Sequence, residues 1–185
     1  MGKLTLILGG ARSGKSAYAE KLAGQGGRSV TYIATAQALD EEMAARIAHH
    51  QSKRSPNWQT LEIPLGVGAA WQAQSLQTEV VLLDCLTLLV SNLILAACPD
   101  ADQPDENAAT VRLEAEVRQL LEAIRASPAE WIVVSNEVGM GLVPPYPLGR
   151  IYRDLLGWAN QQLAARADEV IFMIAGVPMR LAPTA

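Results

Sequence analysis

The stretch Gly9-Gly10-Ala11-Arg12-Ser13-Gly14-Lys15-Ser16 constrains this chain more than any other part of it. The apolar run Leu4-Thr5-Leu6-Ile7-Leu8 precedes it, and a helix-favouring segment, Ala17 to Ala23, follows. Strand, glycine-rich loop and helix, with the spacing G-x-x-x-x-G-K-S, make a phosphate cradle. The glycines let successive backbone N–H groups turn inward toward an anion. The helix adds its own free N–H groups and the positive end of its dipole. Lys15 can reach the β- and γ-phosphates, and the Ser16 hydroxyl can ligate Mg²⁺. A nucleoside triphosphate is the expected ligand.

Around this loop the chain alternates between strand-like and helical segments. Strands are expected at Leu4–Leu8, Ser29–Ala34, Trp58–Ile63, Glu79–Asp84, Trp131–Ser135 and, as the last, Glu169–Ala175. Helices are expected at Ser16–Ala23, Leu39–Gln51, Gly66–Gln77, Leu86–Ala97, Ala108–Ala126 and Leu148–Ala167. Such alternation predicts an α/β fold, a mainly parallel sheet flanked by helices. At 185 residues, with no clear linker, the whole chain 1–185 reads as one nucleotide-binding domain.

Composition narrows the classes further. A net charge of -4, no basic tail and few aromatic residues argue against a nucleic-acid partner. Val80 to Cys98 approaches membrane-spanning length, but Asp84, Thr87, Ser91 and Asn92 interrupt it. A buried strand running into a buried helix explains it better than a membrane span. No secretory signal is visible, and the two cysteines, Cys85 and Cys98, make no disulfide framework. A cytoplasmic location follows from these readings.

In a sheet of this kind the ligand lies beyond the carboxyl ends of the strands. Asp84 ends an apolar strand, where an acid can hold Mg²⁺ directly or through water; an ordinary strand-end turn is the other reading. Glu62 ends the third strand on the same rim, and Ala34-Thr35-Ala36 follow the second. Cys85 stands where water-activating ATPases often carry a carboxylate. Ser135-Asn136-Glu137-Val138-Gly139-Met140-Gly141 carries polar groups and then two glycines, which suits backbone approaching a ligand or a tight turn.

The two histidines are adjacent, His49 and His50. Neighbours on a helix point to different faces, so the pair is a poor metal site. Neutral imidazole is a competent nucleophile toward phosphorus, and its ordinary pKa of about 6.5 leaves it available at cellular pH. Arg46, Lys53 and Arg54, close in sequence, suit phosphate charge or a solvated basic face equally.

Four stretches together resemble the bifunctional adenosylcobinamide kinase/adenosylcobinamide-phosphate guanylyltransferase family. They are the loop Gly9–Ser16, Tyr32-Ile33-Ala34-Thr35-Ala36, the segment Asp40 to His50 with its Arg-Ile-x-His-His, and Ser135 to Pro144 with its Asn-Glu-Val-Gly-Met-Gly. The resemblance implies a RecA-like P-loop NTPase fold acting late in cobalamin biosynthesis. It implies that ATP or GTP phosphorylates adenosylcobinamide. GTP then guanylylates a histidine, and the GMP passes to adenosylcobinamide phosphate, giving adenosylcobinamide-GDP and pyrophosphate. The family histidine falls on His50. The family's nucleotide contacts fall on Gly9, Gly10, Ala11, Arg12, Ser13, Gly14, Lys15, Ser16, Ala34, Thr35, Ala36, Gln51, Ser52, Lys53, Arg54, Glu62 and Asp84. Lys15 and His50 are the expected catalytic residues, Ser16 and Asp84 the expected Mg²⁺ ligands, and a homotrimer the expected assembly. A P-loop small-molecule kinase without a covalent intermediate, and a nucleotide switch without chemistry, are the rival readings.

Overall fold

The structure is a computed structural model that describes residues 2–38, 40, 41, 44, 45, 48 and 55–181. Among the described residues, seven strands form one sheet in the order β3-β2-β4-β5-β1-β6-β7. They are β1 (Leu4–Gly9), β2 (Val30–Ala34), β3 (Gln59–Glu62), β4 (Val80–Asp84), β5 (Glu130–Val134), β6 (Glu169–Ile174) and β7 (Val177–Leu181). All neighbours pair in parallel except β6 and β7. The helices are α1 (Lys15–Ala23), α2 (Val67–Gln72), α3 (Leu86–Ala97), α4 (Glu106–Ala126) and α5 (Pro147–Ala164). One strand, β5, stands between the glycine-loop strand β1 and the Asp84 strand β4. This is the mainly parallel, helix-flanked sheet that the alternation of strand-like and helical segments predicts.

Residues alternate between the two faces of each strand, so the central strands feed two cores. Leu4, Leu6, Ile33, Val81, Leu83 and Val133 pack with α2, α3, α4 and α5. Ile7, Tyr32, Leu82, Ile132 and Val134 pack on the other face with Ala19 and Ala23 of α1. Trp71 of α2 meets Trp131 of β5 edge to face, with centroids 5.3 Å apart, a favoured aromatic geometry. The apolar run from Val80 is a strand and then a helix, and no helix of the described residues is long and apolar enough to cross a membrane.

The sequence expectations need four adjustments. The chain does not end its sheet at Ala175: β7 returns antiparallel, joined through Ala175 (φ 50°) and Gly176 (φ 83°). Positive φ at both turn residues matches the right-handed twist of a two-residue hairpin, and Pro178 is tolerated because β7 is an edge strand. The helix expected over Gly66–Gln77 stops at Gln72, because Gln72, Ala73, Gln74 and Ser75 are exposed and bury nothing. Helix α4 starts at Glu106 rather than Ala108, since the Asp105 carboxylate accepts from Ala108 N at 2.9 Å and caps it. Helix α5 begins with Pro147 and ends at Ala164, three residues before the expected end. Of the helix expected over 39–51, Glu41, Ala44, Ala45 and Ala48 are helical; His50 and Gln51, Ser52, Lys53 and Arg54 lie outside the described residues.

Candidate active site

The site is built where β1 meets α1. Gly9 (φ 153°) and Gly14 (φ 94°) take backbone conformations that favour glycine, and a Cβ on Gly14 would come 3.3 Å from Gly176 Cα. The β6–β7 turn buttresses the loop from outside, with Gly176 N donating to Ser13 O at 2.9 Å. Gly10 is half-buried, Ala11 and Arg12 are exposed, Ser13 is buried, and Ser16 opens the first turn of α1. Lys15 is buried and folds back over the loop, its Nζ donating to Gly10 O at 2.6 Å and lying 3.5 Å from Ser13 Oγ. Burial lowers the Lys15 pKa below its usual value, while Cys85 and Asp84 act to raise it.

Strand register lines up the expected acids. Glu62 lies opposite Ala34, Ala34 opposite Asp84, and Asp84 opposite Val134. Val134 in turn pairs with Ile7, two residues before the loop. Glu62, Ala34 and Asp84 are therefore side by side on the carboxyl edge. Tyr32, buried within β2, donates its hydroxyl to Asp84 Oδ2 at 2.8 Å. Only β5 separates the Asp84 strand from the strand that leads into the Lys15 loop, so the acid and the loop stand on the same edge of the sheet.

Thr35 locks this edge. Its hydroxyl donates to Cys85 O at 2.7 Å and accepts from Cys85 N at 2.9 Å. Asn92 Nδ2 of α3 donates to Thr35 O at 2.8 Å and to Pro64 O at 3.0 Å, tying the exits of β2 and β3 together. Cys85, half-buried as a residue, keeps its thiol protonated: burial, with the Asp84 charge next, pushes its pKa up to about 12. It is no rival nucleophile, since the thiolate is the reactive form.

The stretch after β5 joins the same rim. Ser135 N donates to Ile7 O (2.9 Å), Asn136 N to Thr87 Oγ1 (2.7 Å) and Glu137 N to Gly9 O (3.0 Å). Sequence reasoning left these residues between ligand approach and turn; the structure sets them against the end of β1 and the first turn of α3. What it missed is Glu137 as an organiser of the following turn, signalled only by the Glu-x-Gly spacing.

An apolar strand, the lysine-bearing loop, an acid two strands away and this attached rim come together at one edge of the parallel sheet. Residues 5–181 match the family described as cobinamide kinase / cobinamide phosphate guanyltransferase, CobU. The chain belongs to that family. It is 47% identical over 176 residues to the bifunctional adenosylcobalamin biosynthesis protein CobP of Pseudomonas aeruginosa, covering 95% of each chain. It is 43% identical to CobU of Escherichia coli K12 (96% of this chain, 99% of that one) and 42% identical to CobU of Salmonella typhimurium, with the same coverage. A RadB recombinase crystal structure aligns with 92% of this chain and 73% of its own, at 14% identity and a TM-score of 0.47. As a member of the cobinamide family this chain is a bifunctional transferase, a kinase and a guanylyltransferase of adenosylcobalamin biosynthesis.

Proposed function

We propose that both reactions use one triphosphate site, with the phosphates lying in the Gly9–Ser16 loop. The observation that carries this is that the Gly9–Ser16 loop, with Lys15 folded back over it, and Asp84 both stand at the carboxyl edge of the sheet, where only β5 separates β1 from β4. In the kinase step the terminal alcohol of adenosylcobinamide attacks the γ-phosphorus of ATP or GTP, and the nucleoside diphosphate leaves. Lys15 releases Gly10 O and turns to the incoming phosphate oxygens, giving a charge-assisted donor where negative charge accumulates. Ala34, Thr35, Ala36 and Glu62 line the nucleotide side of the edge.

Ser16 and Asp84 supply a hydroxyl and a carboxylate, a hard-oxygen pair that suits Mg²⁺ held partly by substrate phosphates. Bound there, Mg²⁺ would neutralise phosphate charge.

In the second reaction His50 attacks the α-phosphorus of GTP: an N–P bond forms and pyrophosphate leaves. A phosphate oxygen of adenosylcobinamide phosphate then attacks that phosphorus, the N–P bond breaks, and adenosylcobinamide-GDP departs. Splitting one exchange between bulky partners into two displacements eases each. Gln51, Ser52, Lys53 and Arg54 complete the nucleotide contacts. The test is labelling with GTP carrying a tagged α-phosphate. Acid-labile, base-stable label on the wild type and none on His50→Ala is expected; equal labelling of the variant overturns the histidine assignment.

Strands drawn from both ends of the chain into one sheet support reading residues 1–185 as one nucleotide-binding domain. The free cysteines Cys85 and Cys98 fit a cytoplasmic enzyme. Exposed Val177, Met179 and Leu181 on edge strand β7 fit self-association, here as a homotrimer, which sedimentation equilibrium tests directly.

A further inference from the structure

We infer that the segment Val138–Tyr146 is the wall of the site that receives the corrinoid, and that Glu137 is the positioning residue that shapes it. This deepens the site reading above and rests on it.

The segment is fixed at both ends. Its entry is stitched to the phosphate loop through Glu137 N and Gly9 O, and to α5 through Asn160 Nδ2 donating to Asn136 O at 3.0 Å. The Glu137 carboxylate turns back on its own chain, with Oε1 accepting from Gly139 N at 2.5 Å and from Met140 N at 3.2 Å. Its exit is held by Arg150, whose Nη1 donates to Pro144 O at 3.2 Å and Pro145 O at 2.9 Å. Gly149 makes a seat there, since a Cβ would come 2.5 Å from the Tyr146 ring and 2.8 Å from Pro144 Cβ.

Between these anchors the large apolar side chains face outward. Met140 is 83% exposed, Leu142 97%, Val143 62% and Tyr146 60%. Apolar groups presented together by a prearranged segment mark a binding surface rather than a solvated loop. Its attachment to Gly9 says what binds there. The alcohol of the first reaction and the phosphate of the second must both arrive at phosphorus atoms held by that loop. The remainder of the same substrate, a macrocycle with a methyl-studded apolar rim and amide arms, must then lie on the adjoining surface. Met140 and Leu142 offer apolar area to the methyl rim, and the exposed backbone around Gly139 and Gly141 offers partners to the amides.

The test is steady-state kinetics on Met140→Ser/Leu142→Ser, with α-labelled GTP incorporation alongside. Both side chains lie in solvent, so the variant keeps its fold. The expected result is a KM for cobinamide raised about tenfold or more, from lost apolar contact, with the nucleotide KM and histidine labelling unchanged. Glu137→Ala reproduces the rise in cobinamide KM, and Glu137→Gln, which keeps an accepting Oε1, restores it. An unchanged cobinamide KM in the double variant overturns the wall, and so does a shift in oligomeric mass at unchanged KM, which would assign the surface to a second copy of the chain. A fall in kcat for Glu137→Gln at normal KM overturns the positioning role in favour of proton abstraction. Loss of GTP labelling in the wild type strikes the site reading itself, so the two failures are distinguishable.

Discussion

Tyr32 and Asp84 meet at the carboxyl edge of the sheet, the phenol donating to Oδ2 at 2.8 Å. Their strands pair two residues out of step for this contact, since Tyr32 lies opposite Leu82 and Ala34 opposite Asp84. The tyrosine therefore reaches forward along its strand, within the α1-side core, to engage a carboxylate on the neighbouring strand. That bond engages one oxygen of the Asp84 carboxylate and fixes its direction.

Tyr32→Phe removes the donor and keeps the ring. A hydrogen bond to a charged group contributes about 1.5–3 kcal/mol. A carboxylate freed from it loses its prearranged direction. The expected outcome is Mg²⁺-GTP binding weakened by about tenfold, with metal-free GTP binding little changed. Calorimetric titration with Mg²⁺ and with a chelator checks this; an equal loss under both conditions would remove Asp84 from the metal site.

Lys15 carries a second prediction, on pH. Burial lowers its folded-state pKa below the unfolded value of 10.5. Between those two values the unfolded chain holds the extra proton, so wild-type stability rises with pH across that window. Below it the penalty of burying the cation is constant and fully present. Lys15→Met lacks this titration. The wild type should therefore gain stability relative to Lys15→Met as pH rises from 7.5 toward 10, read by urea unfolding without nucleotide. Phosphoryl transfer by the variant should fall by about 100-fold or more, from loss of a charged donor at the transferring phosphate. A stability gap that does not move with pH would mean that the ammonium is not held in a desolvated place.

The parts of this molecule legible in sequence are those written locally. Gly9–Ser16 carries its own turn chemistry, and an apolar run ending in Asp84 announces both strand and rim. The period-two pattern of parallel strands then sets Glu62, Ala34 and Asp84 in one row. The rest depends on partners far apart in the chain. Nothing near Thr35 tells that its hydroxyl will close on both sides of Cys85, and nothing near Glu137 tells that it will sit on Gly9. The β7 hairpin escaped because Ala175 is an uncommon residue for a positive φ and Pro178 argues against a strand, though its edge position tolerates one.

Glu116 is the plainest case of a residue whose role appears only in three dimensions, and it yields the last prediction. It projects from the middle of α4, is buried, and accepts from Gly66 N at 3.1 Å and Val67 N at 2.7 Å, capping α2 from outside. The approach is close because position 68 is glycine; a Cβ there would come 2.5 Å from the carbonyl of Gln119. Burial raises the Glu116 pKa above 4.5, although the N–H groups of Val67, Gly66 and Gly68 oppose that. The folded chain therefore holds the extra proton between 4.5 and the raised value, and stability attributable to this residue increases as pH falls through that window. Above the window the cost of a buried charge is fully present. Glu116→Gln removes the titration but turns an NH₂ group toward one of the two donors, leaving a backbone N–H unpaired at a cost of about 1–3 kcal/mol. Urea unfolding at pH 7 and pH 5 should show the variant less stable at both, with the gap wider at pH 5. A gap that narrows on acidification would mean that the backbone donors, not burial, control this carboxylate.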